Sequence, residues 1–112
     1  MEKVLFYGMT GEKMCFQHVL MNALDMYSNG QIVKIIFEGA SVKLIPIFEE
    51  EKNQLYGKAK DLGLIAGACV GCAKVMGVYD QIKDAGIIML DDMYGHAGIK
   101  PFLIDGYRII TM

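Results

Sequence analysis

Short apolar runs alternate along the chain with longer segments in which polar and apolar residues mix. Five of these runs are too short for typical helices, which predicts strands; they are KVLFYG (3–8), QIVKIIFEG (31–39), LIAGA (64–68), GIIML (86–90) and YRIIT (107–111). Between the first two runs, apolar residues recur at helical spacing, which predicts a helix from about residue 12 to residue 27. The chain therefore alternates between strand and helix.

The order of these elements predicts the fold class. Continuous apolar strands that alternate with helical segments are typical of a mostly parallel sheet covered by helices on both faces. We therefore predict a single α/β domain over residues 1–112, with a three-layer α/β/α architecture and a mostly parallel sheet of about five strands. Neither the strand order nor the direction of the last strand follows from the pattern.

An acidic triplet, Glu49, Glu50 and Glu51, precedes a segment that contains Lys58 and Lys60. Negative charge stabilises the first turn of a helix, and positive charge stabilises the last turn. We therefore expect the triplet to begin a solvated helix and the two lysines to lie near the end of it.

Composition narrows the function classes. The basic residues are scattered and the formal net charge is −2, so nothing marks a nucleic-acid-binding surface. No apolar stretch reaches the roughly 18 residues of a membrane span, and no signal peptide is visible. Three cysteines, an odd number, argue against a disulfide framework and for reactive, metal-bound or buried thiols. We expect a soluble protein of the reducing cytoplasm.

The main candidate site lies in AGACVGCAKVMG, residues 66–77, where Cys69 directly follows the third predicted strand. Reactive groups of open α/β sheets collect at the carboxyl ends of strands. A thiol that also begins a helix is expected to have a lowered pKa, because the helix N-terminus favours an anion. Small neighbours such as Gly71 leave room for a substrate. The alternative is that Cys69 is simply a small residue of the core.

Cys72 lies about one helical turn after Cys69, so the two sulfur atoms can face one another. A C-x-x-C pair at a helix start is also the arrangement of dithiol redox proteins, in which one thiol attacks and the other resolves the mixed disulfide. The position of the pair, in the third β-α unit, and the lack of a nearby proline argue against a thioredoxin-like oxidoreductase.

A metal site is the main alternative. Cys15 and His18 lie three positions apart near the start of the first predicted helix, which also follows a strand. If this pair and the pair Cys69 and Cys72 met at one edge of the sheet, the four ligands would suit tetrahedral zinc.

Two further side chains are candidates to line the site. His96 follows the fourth predicted strand between glycine-rich residues and is a possible base or anion donor, or a surface histidine. Glu38 ends the second predicted strand, where it would orient a site group or cap the following helix.

The chain resembles the DsrE/DsrF-like family of sulfur-relay proteins over nearly its whole length. The resemblance lies in four blocks: KVLFYG at the start, IVKIIFEGASVKLI, LGLIAGACVGCAKVMG, and GIIMLDD with GYRIIT. A cysteine at the end of the third strand, followed by a helix of small residues and Gly77, is the most specific of these features. Cys72 is not required by the relay pattern.

This resemblance implies a function. It implies a sulfur carrier or sulfurtransferase-like protein in which Cys69 takes up sulfane sulfur as a persulfide and passes it on, with Cys72 assisting. The implied partners are sulfur donor and acceptor proteins, the implied assembly is a trimer or hexamer, and no cofactor is expected. Two alternatives stay open: a metal-binding or regulatory oligomeric module, and an oligomeric scaffold or small-ligand binder with inert thiols.

Overall fold

The five predicted strands form one sheet in a computed structural model of the protein, which describes residues 2–112. The strands are β1 (Lys3–Gly8), β2 (Ile32–Phe37), β3 (Ile65–Cys69), β4 (Met89–Leu90) and β5 (Arg108–Thr111). Their order in the sheet is β4-β3-β2-β1-β5, and every neighbouring pair is parallel. The predicted α/β/α fold class is confirmed, and the last strand runs parallel beside β1.

Helices connect successive strands. They are α1 (Lys13–Ser28), α2 (Leu44–Glu50), α3 (Gln54–Asp61), α4 (Val70–Val75), α5 (Tyr79–Asp84) and α6 (Lys100–Ile104), and a 3-10 helix, Gly39–Lys43, precedes α2. The longest, α1, has 16 residues and agrees with the predicted helix to within one residue at each end. Within residues 2–112, no helix is long and apolar enough to cross a membrane.

The acidic triplet does not begin a helix, contrary to the prediction. Glu49 and Glu50 end α2, and α3 begins after Asn53, whose side chain accepts a hydrogen bond from the Tyr56 N–H group. An Asn cap satisfies a free helix N–H group directly, so it marks the start of α3 better than charge does. The two lysines do lie in the last turn of α3, and Lys60 bonds to Glu49 at 2.8 Å.

The hydrophobic core covers both faces of the sheet. Three consecutive residues of β1, Val4, Leu5 and Phe6, are buried, although neighbours in a strand point to opposite faces. On one face, the ring of Phe16 from α1 stacks on Phe37 from β2, with 4.4 Å between ring centroids. Burial on both faces explains why these strands are continuous apolar runs rather than alternating ones.

The strand order places three strand ends side by side at one edge of the sheet. Strands β2, β3 and β4 are neighbours and run in the same direction, so their carboxyl ends lie side by side. The chain leaves these ends at Glu38, at Cys69 and in the loop that carries His96. Residues that are distant in the sequence therefore meet at this edge.

Candidate functional site

Four side chains meet at the carboxyl edge of the sheet: Glu38, Cys69, Cys72 and His96. One potential ligand atom from each lies within 4.8 Å of the corresponding atom of every other. Each of the four was a candidate on the sequence alone, but the sequence did not indicate that they form one cluster. We call these four residues the thiol cluster.

Cys69 lies at the centre of the thiol cluster and is completely buried. It ends β3 and caps α4, as predicted, and its Sγ atom accepts a hydrogen bond from the Cys72 N–H group at 3.2 Å. The same sulfur lies 3.0 Å from Nδ1 of His96. Cys69 therefore belongs to the core, as the simpler interpretation held, and also contacts a group that can exchange a proton with it.

The expected lowering of the Cys69 pKa is wrong. Burial raises the pKa of this thiol above its ordinary value, even though hydrogen bonds from Cys72 and from the backbone of Ala97 act to lower it. Removal of water destabilises the Cys69 thiolate more than the N-terminus of the short helix α4 stabilises it. Cys69 therefore needs a base for its activation, and His96 is positioned to be that base.

Cys72 is held in its protonated form. Its thiol donates a hydrogen bond to Oε1 of Glu38 at 2.7 Å, and its sulfur accepts one from the Gly39 N–H group at 3.2 Å. Burial and the neighbouring Glu38 carboxylate raise the pKa of Cys72 well above its usual range. Cys72 thus keeps its proton near neutral pH and donates it in the hydrogen bond to Glu38.

Glu38 is buried, with 4% of its surface exposed. Burial acts to raise its pKa, but hydrogen bonds, chiefly from Cys72, outweigh that effect and hold the pKa below its usual value. Its Oε1 atom also accepts a hydrogen bond from the Gly39 N–H group at 2.9 Å, at the start of the 3-10 helix. Both roles considered for Glu38, capping and orienting a site group, are therefore seen.

A tight turn positions His96. Met93 and His96 pair through two backbone hydrogen bonds of 2.8 Å each, and the two residues between them, Tyr94 and Gly95, have positive φ angles. Such a turn favours glycine at one of these positions. Gly71 donates its backbone N–H to the Gly95 carbonyl at 2.8 Å, which ties the turn to α4.

Tyr7 is a site residue that sequence reasoning missed. Its phenol oxygen lies 2.8 Å from Oε2 of Glu38 and 2.6 Å from the carbonyl oxygen of Ala97. Burial and the nearby Glu38 carboxylate raise the pKa of Tyr7, so the phenol keeps its proton. A tyrosine at the carboxyl end of an apolar strand, just before Gly8, was the available signal, since even a partly buried phenol usually has a hydrogen-bond partner.

Cys15 and His18 do not join the thiol cluster. Both are exposed on α1, and no group of ligating side chains within residues 2–112 includes either of them. The predicted metal ligand set of Cys15, His18, Cys69 and Cys72 is therefore wrong. A position shortly after a strand did not place Cys15 and His18 at the site, because their side chains lie on the solvent-facing side of α1.

A shallow cavity of about 250 Å³ opens beside the thiol cluster, with an apolar lining. It is lined by Gly39, Ala40, Cys72, Val75, Met76 and His96. Cys69 is absent from this lining, so a molecule in the cavity meets Cys72 and His96 before it meets Cys69. A larger surface depression, of about 570 Å³ over α3, contains neither cysteine nor histidine.

Fold and site together define a parallel α/β protein with a partly buried cluster of two thiols, an imidazole and a carboxylate. No protein-family model matches the chain. A relative in Methanocaldococcus jannaschii, the uncharacterized protein MJ0733, is 34% identical over 99 residues, which cover 85% of this chain and 78% of that protein. The chain belongs to the same family as this archaeal protein. No solved structure matches the chain.

Proposed function

We propose that the protein is a sulfur carrier, or sulfurtransferase-like protein, that accepts sulfane sulfur as a persulfide on Cys69 and passes it to a partner. The observation that carries this proposal is the 3.0 Å contact between the Cys69 sulfur and Nδ1 of His96. A thiol beside an imidazole is the arrangement of an activated nucleophile. The resemblance to sulfur-relay proteins, in which the matching cysteine is the carrier, supports the same function.

Sulfur uptake begins with transfer of the Cys69 proton to His96, whose Nδ1 atom accepts when the ring proton is on Nε2. The thiolate then attacks the outer sulfur of a donor persulfide. The new S–S bond forms at Cys69, the donor S–S bond breaks, and the donor leaves as a thiolate that takes the proton from His96. Atoms, charge and electrons balance, so no redox cofactor is required.

Delivery reverses these steps with a different thiol. An acceptor thiolate attacks the outer sulfur of the Cys69 persulfide, and Cys69 leaves as a thiolate that is stabilised by the Cys72 N–H group at 3.2 Å. Attack by Cys72 on the inner sulfur would instead release hydrosulfide and leave a Cys69–Cys72 disulfide. The raised pKa of Cys72 disfavours that attack. We therefore assign Cys72 to retaining the sulfur rather than discharging it.

The rim of the cavity supports a protein as the sulfur donor or acceptor. Val75 is 83% exposed and Met76 is 39% exposed, and both line the cavity beside Cys72. Exposed apolar side chains around a reactive group are typical of surfaces that contact another protein. The family resemblance implies a trimer or hexamer, and the same exposed apolar side chains support that proposal. Sedimentation velocity of the purified protein would measure its oligomeric state.

The test is the intact mass of the reduced, chelator-treated protein after incubation with a sulfane-sulfur donor. We expect the mass to increase by one sulfur atom and the increase to vanish on reduction with dithiothreitol. The increase should be lost in Cys69→Ser and retained in Cys72→Ser. Cys15→Ser is the matched control, because Cys15 is exposed and outside the thiol cluster. Sulfur uptake that persists unchanged in Cys69→Ser would reject the proposal.

A further inference from the structure

We propose that the thiol cluster is also a binding site for a thiophilic divalent metal ion of the Zn²⁺ class, held by Glu38, Cys69, Cys72 and His96 together. Two thiolates, one imidazole nitrogen and one carboxylate oxygen form a complete tetrahedral ligand set for such an ion. This inference rests on the placement of the four side chains and not on the proposed sulfur chemistry.

The distances between the donor atoms fit such a site. Bonds of about 2.0–2.3 Å around a tetrahedral ion place its donor atoms roughly 3.3–3.8 Å apart. The Nδ1 atom of His96 lies 3.0 Å from the sulfur of Cys69, 3.4 Å from that of Cys72 and 3.9 Å from Oε1 of Glu38. The shortest separation is the 2.7 Å hydrogen bond from Cys72 to Glu38, which opens when the thiol loses its proton. Adjustments of less than about 1 Å therefore complete these four contacts.

Contacts outside the four ligands fix their orientation. Tyr7 lies 2.8 Å from Oε2 of Glu38, which leaves Oε1 directed at the two thiols. The Cys72 N–H group bonds to the Cys69 sulfur, and the turn at Gly95 holds His96 over α4. Such surrounding hydrogen bonds orient metal ligands and raise affinity. Most of the site is thus formed before an ion binds.

Binding of the ion has a defined proton balance. Both S–H bonds break, two metal–sulfur bonds form, and two protons pass to solvent, while a carboxylate oxygen of Glu38 and a ring nitrogen of His96 bind through lone pairs. The bound site carries a net charge of about −1, from a divalent cation, two thiolates and one carboxylate. The ion also replaces the proton that Cys72 now donates to Glu38, so that neither the buried carboxylate nor the thiolate is left without a partner.

The test is titration of the reduced, metal-free protein with Co²⁺ and then Zn²⁺, with no sulfur donor present. We expect one ion per chain and thiolate-to-cobalt charge-transfer absorption that Zn²⁺ abolishes. His96→Asn and Glu38→Gln should each weaken Zn²⁺ binding, measured against a chromophoric chelator, by about tenfold or more. Cys15→Ser and His18→Asn are the matched controls and should bind as the unmodified protein does.

Three results would overturn this inference: no Co²⁺ absorption, Zn²⁺ affinity in both cluster variants equal to that of the unmodified protein, or binding that disappears in Cys15→Ser. The half-exposed side chain of His96 makes His96→Asn the variant that best preserves the core, and circular dichroism of the metal-free variants checks their fold. Because no sulfur donor is used, metal binding and sulfur uptake can fail independently, and each result bears on one proposal.

Discussion

The backbone of Gly71 lies directly against the imidazole ring of His96. A Cβ atom at position 71 would lie 2.5 Å from Cε1 and 2.6 Å from Nε2 of that ring, closer than real side chains approach. The absence of a side chain at Gly71 therefore allows His96 to reach Cys69. This relationship gives glycine a role in the geometry of the site and not only in the flexibility of the chain.

Replacing Gly71 with Ala should displace His96 without unfolding the protein. Alanine is preferred to glycine in a helix by up to about 1 kcal/mol, so α4 itself should tolerate the change. Sulfur uptake at Cys69 should slow by about tenfold or more, because a positioned base contributes at least that much. The measurements are the rate of the mass increase and the unfolding midpoint.

Gly57→Ala is the matched control for this substitution. Gly57 lies in α3, and a Cβ atom there would have no neighbour within 4 Å. The substitution Gly57→Ala should therefore leave the rate of sulfur uptake unchanged. Equal uptake rates in Gly71→Ala and Gly57→Ala would contradict the role assigned to the contact between Gly71 and His96.

Replacing Glu38 with Gln should lower the pKa of Cys72. The carboxylate now holds this pKa up by disfavouring a second negative charge beside it, and Gln removes the charge while it keeps the shape. The contribution of burial remains, so the pKa should stay above the ordinary thiol value. The rate of Cys72 alkylation, measured by peptide mass at a series of pH values, should therefore begin to rise at a lower pH in the variant than in the unmodified protein. An unchanged profile, or the same shift in Glu51→Gln, would contradict this explanation.

Replacing Tyr7 with Phe should destabilise the protein by about 1–3 kcal/mol, the range for loss of a hydrogen bond to a charged group, with the partial burial of Tyr7 favouring the lower end. The Tyr7 phenol joins β1 both to Glu38 and to Ala97, the residue after His96. Denaturant unfolding measures the change, with exposed Tyr27 as the site of the control Tyr27→Phe. Equal stability of the two variants would show that the phenol contacts are not stabilising.

Glu49 should contribute to stability only above acidic pH. Although burial acts to raise its pKa, hydrogen bonds from Lys60 and Tyr56 lower it below 4.5, its ordinary value. A carboxyl group whose pKa is lowered on folding stabilises the protein above the unfolded-state pKa, and this contribution is lost as pH falls through the folded-state value.

The corresponding variant is Glu49→Gln, compared with Glu50→Gln at the exposed neighbouring position. The Glu49 variant should unfold more easily near neutral pH, by less than about 1 kcal/mol because the ion pair is partly solvated. The difference should shrink below about pH 4. Urea unfolding at several pH values measures this, and a difference that is constant with pH would reject the assignment.

The fold followed from the sequence because its signal is local and repeated. Strands β1 and β2 are buried on both faces, and a strand of that kind must be a continuous apolar run. The start of α3 was misplaced because the acidic triplet was given more weight than Asn53, the residue whose side chain caps the helix. Strand order was out of reach, since no local pattern records which strands become neighbours.

The candidate site was visible in its parts but not as a whole. Cys69 was predictable at a strand end because β-α alternation fixes that position, whereas its raised pKa depends on burial by residues distant in sequence. Cys15 also follows a strand, yet one position along a helix decides whether a side chain faces the sheet or solvent. Tyr7 ends a strand in the sequence as well, but its hydrogen-bond partner, Glu38, is 31 positions away and no local pattern links the two.

The thiol cluster is assembled from parts of the chain that are far apart in sequence. Cys69 and His96 are 27 positions apart, and the bond from Tyr7 to Ala97 spans 90 positions. Closing such long loops is entropically unfavourable, and only the strand pairing of the folded sheet offsets it. In the unfolded chain, Cys69 and Cys72 are therefore the only two members of the cluster that remain near one another. A ligand held by all four side chains would therefore bind the native state alone, and its binding free energy would add directly to the stability of the fold. Occupancy of the cluster would thus report how much of the chain has finished folding.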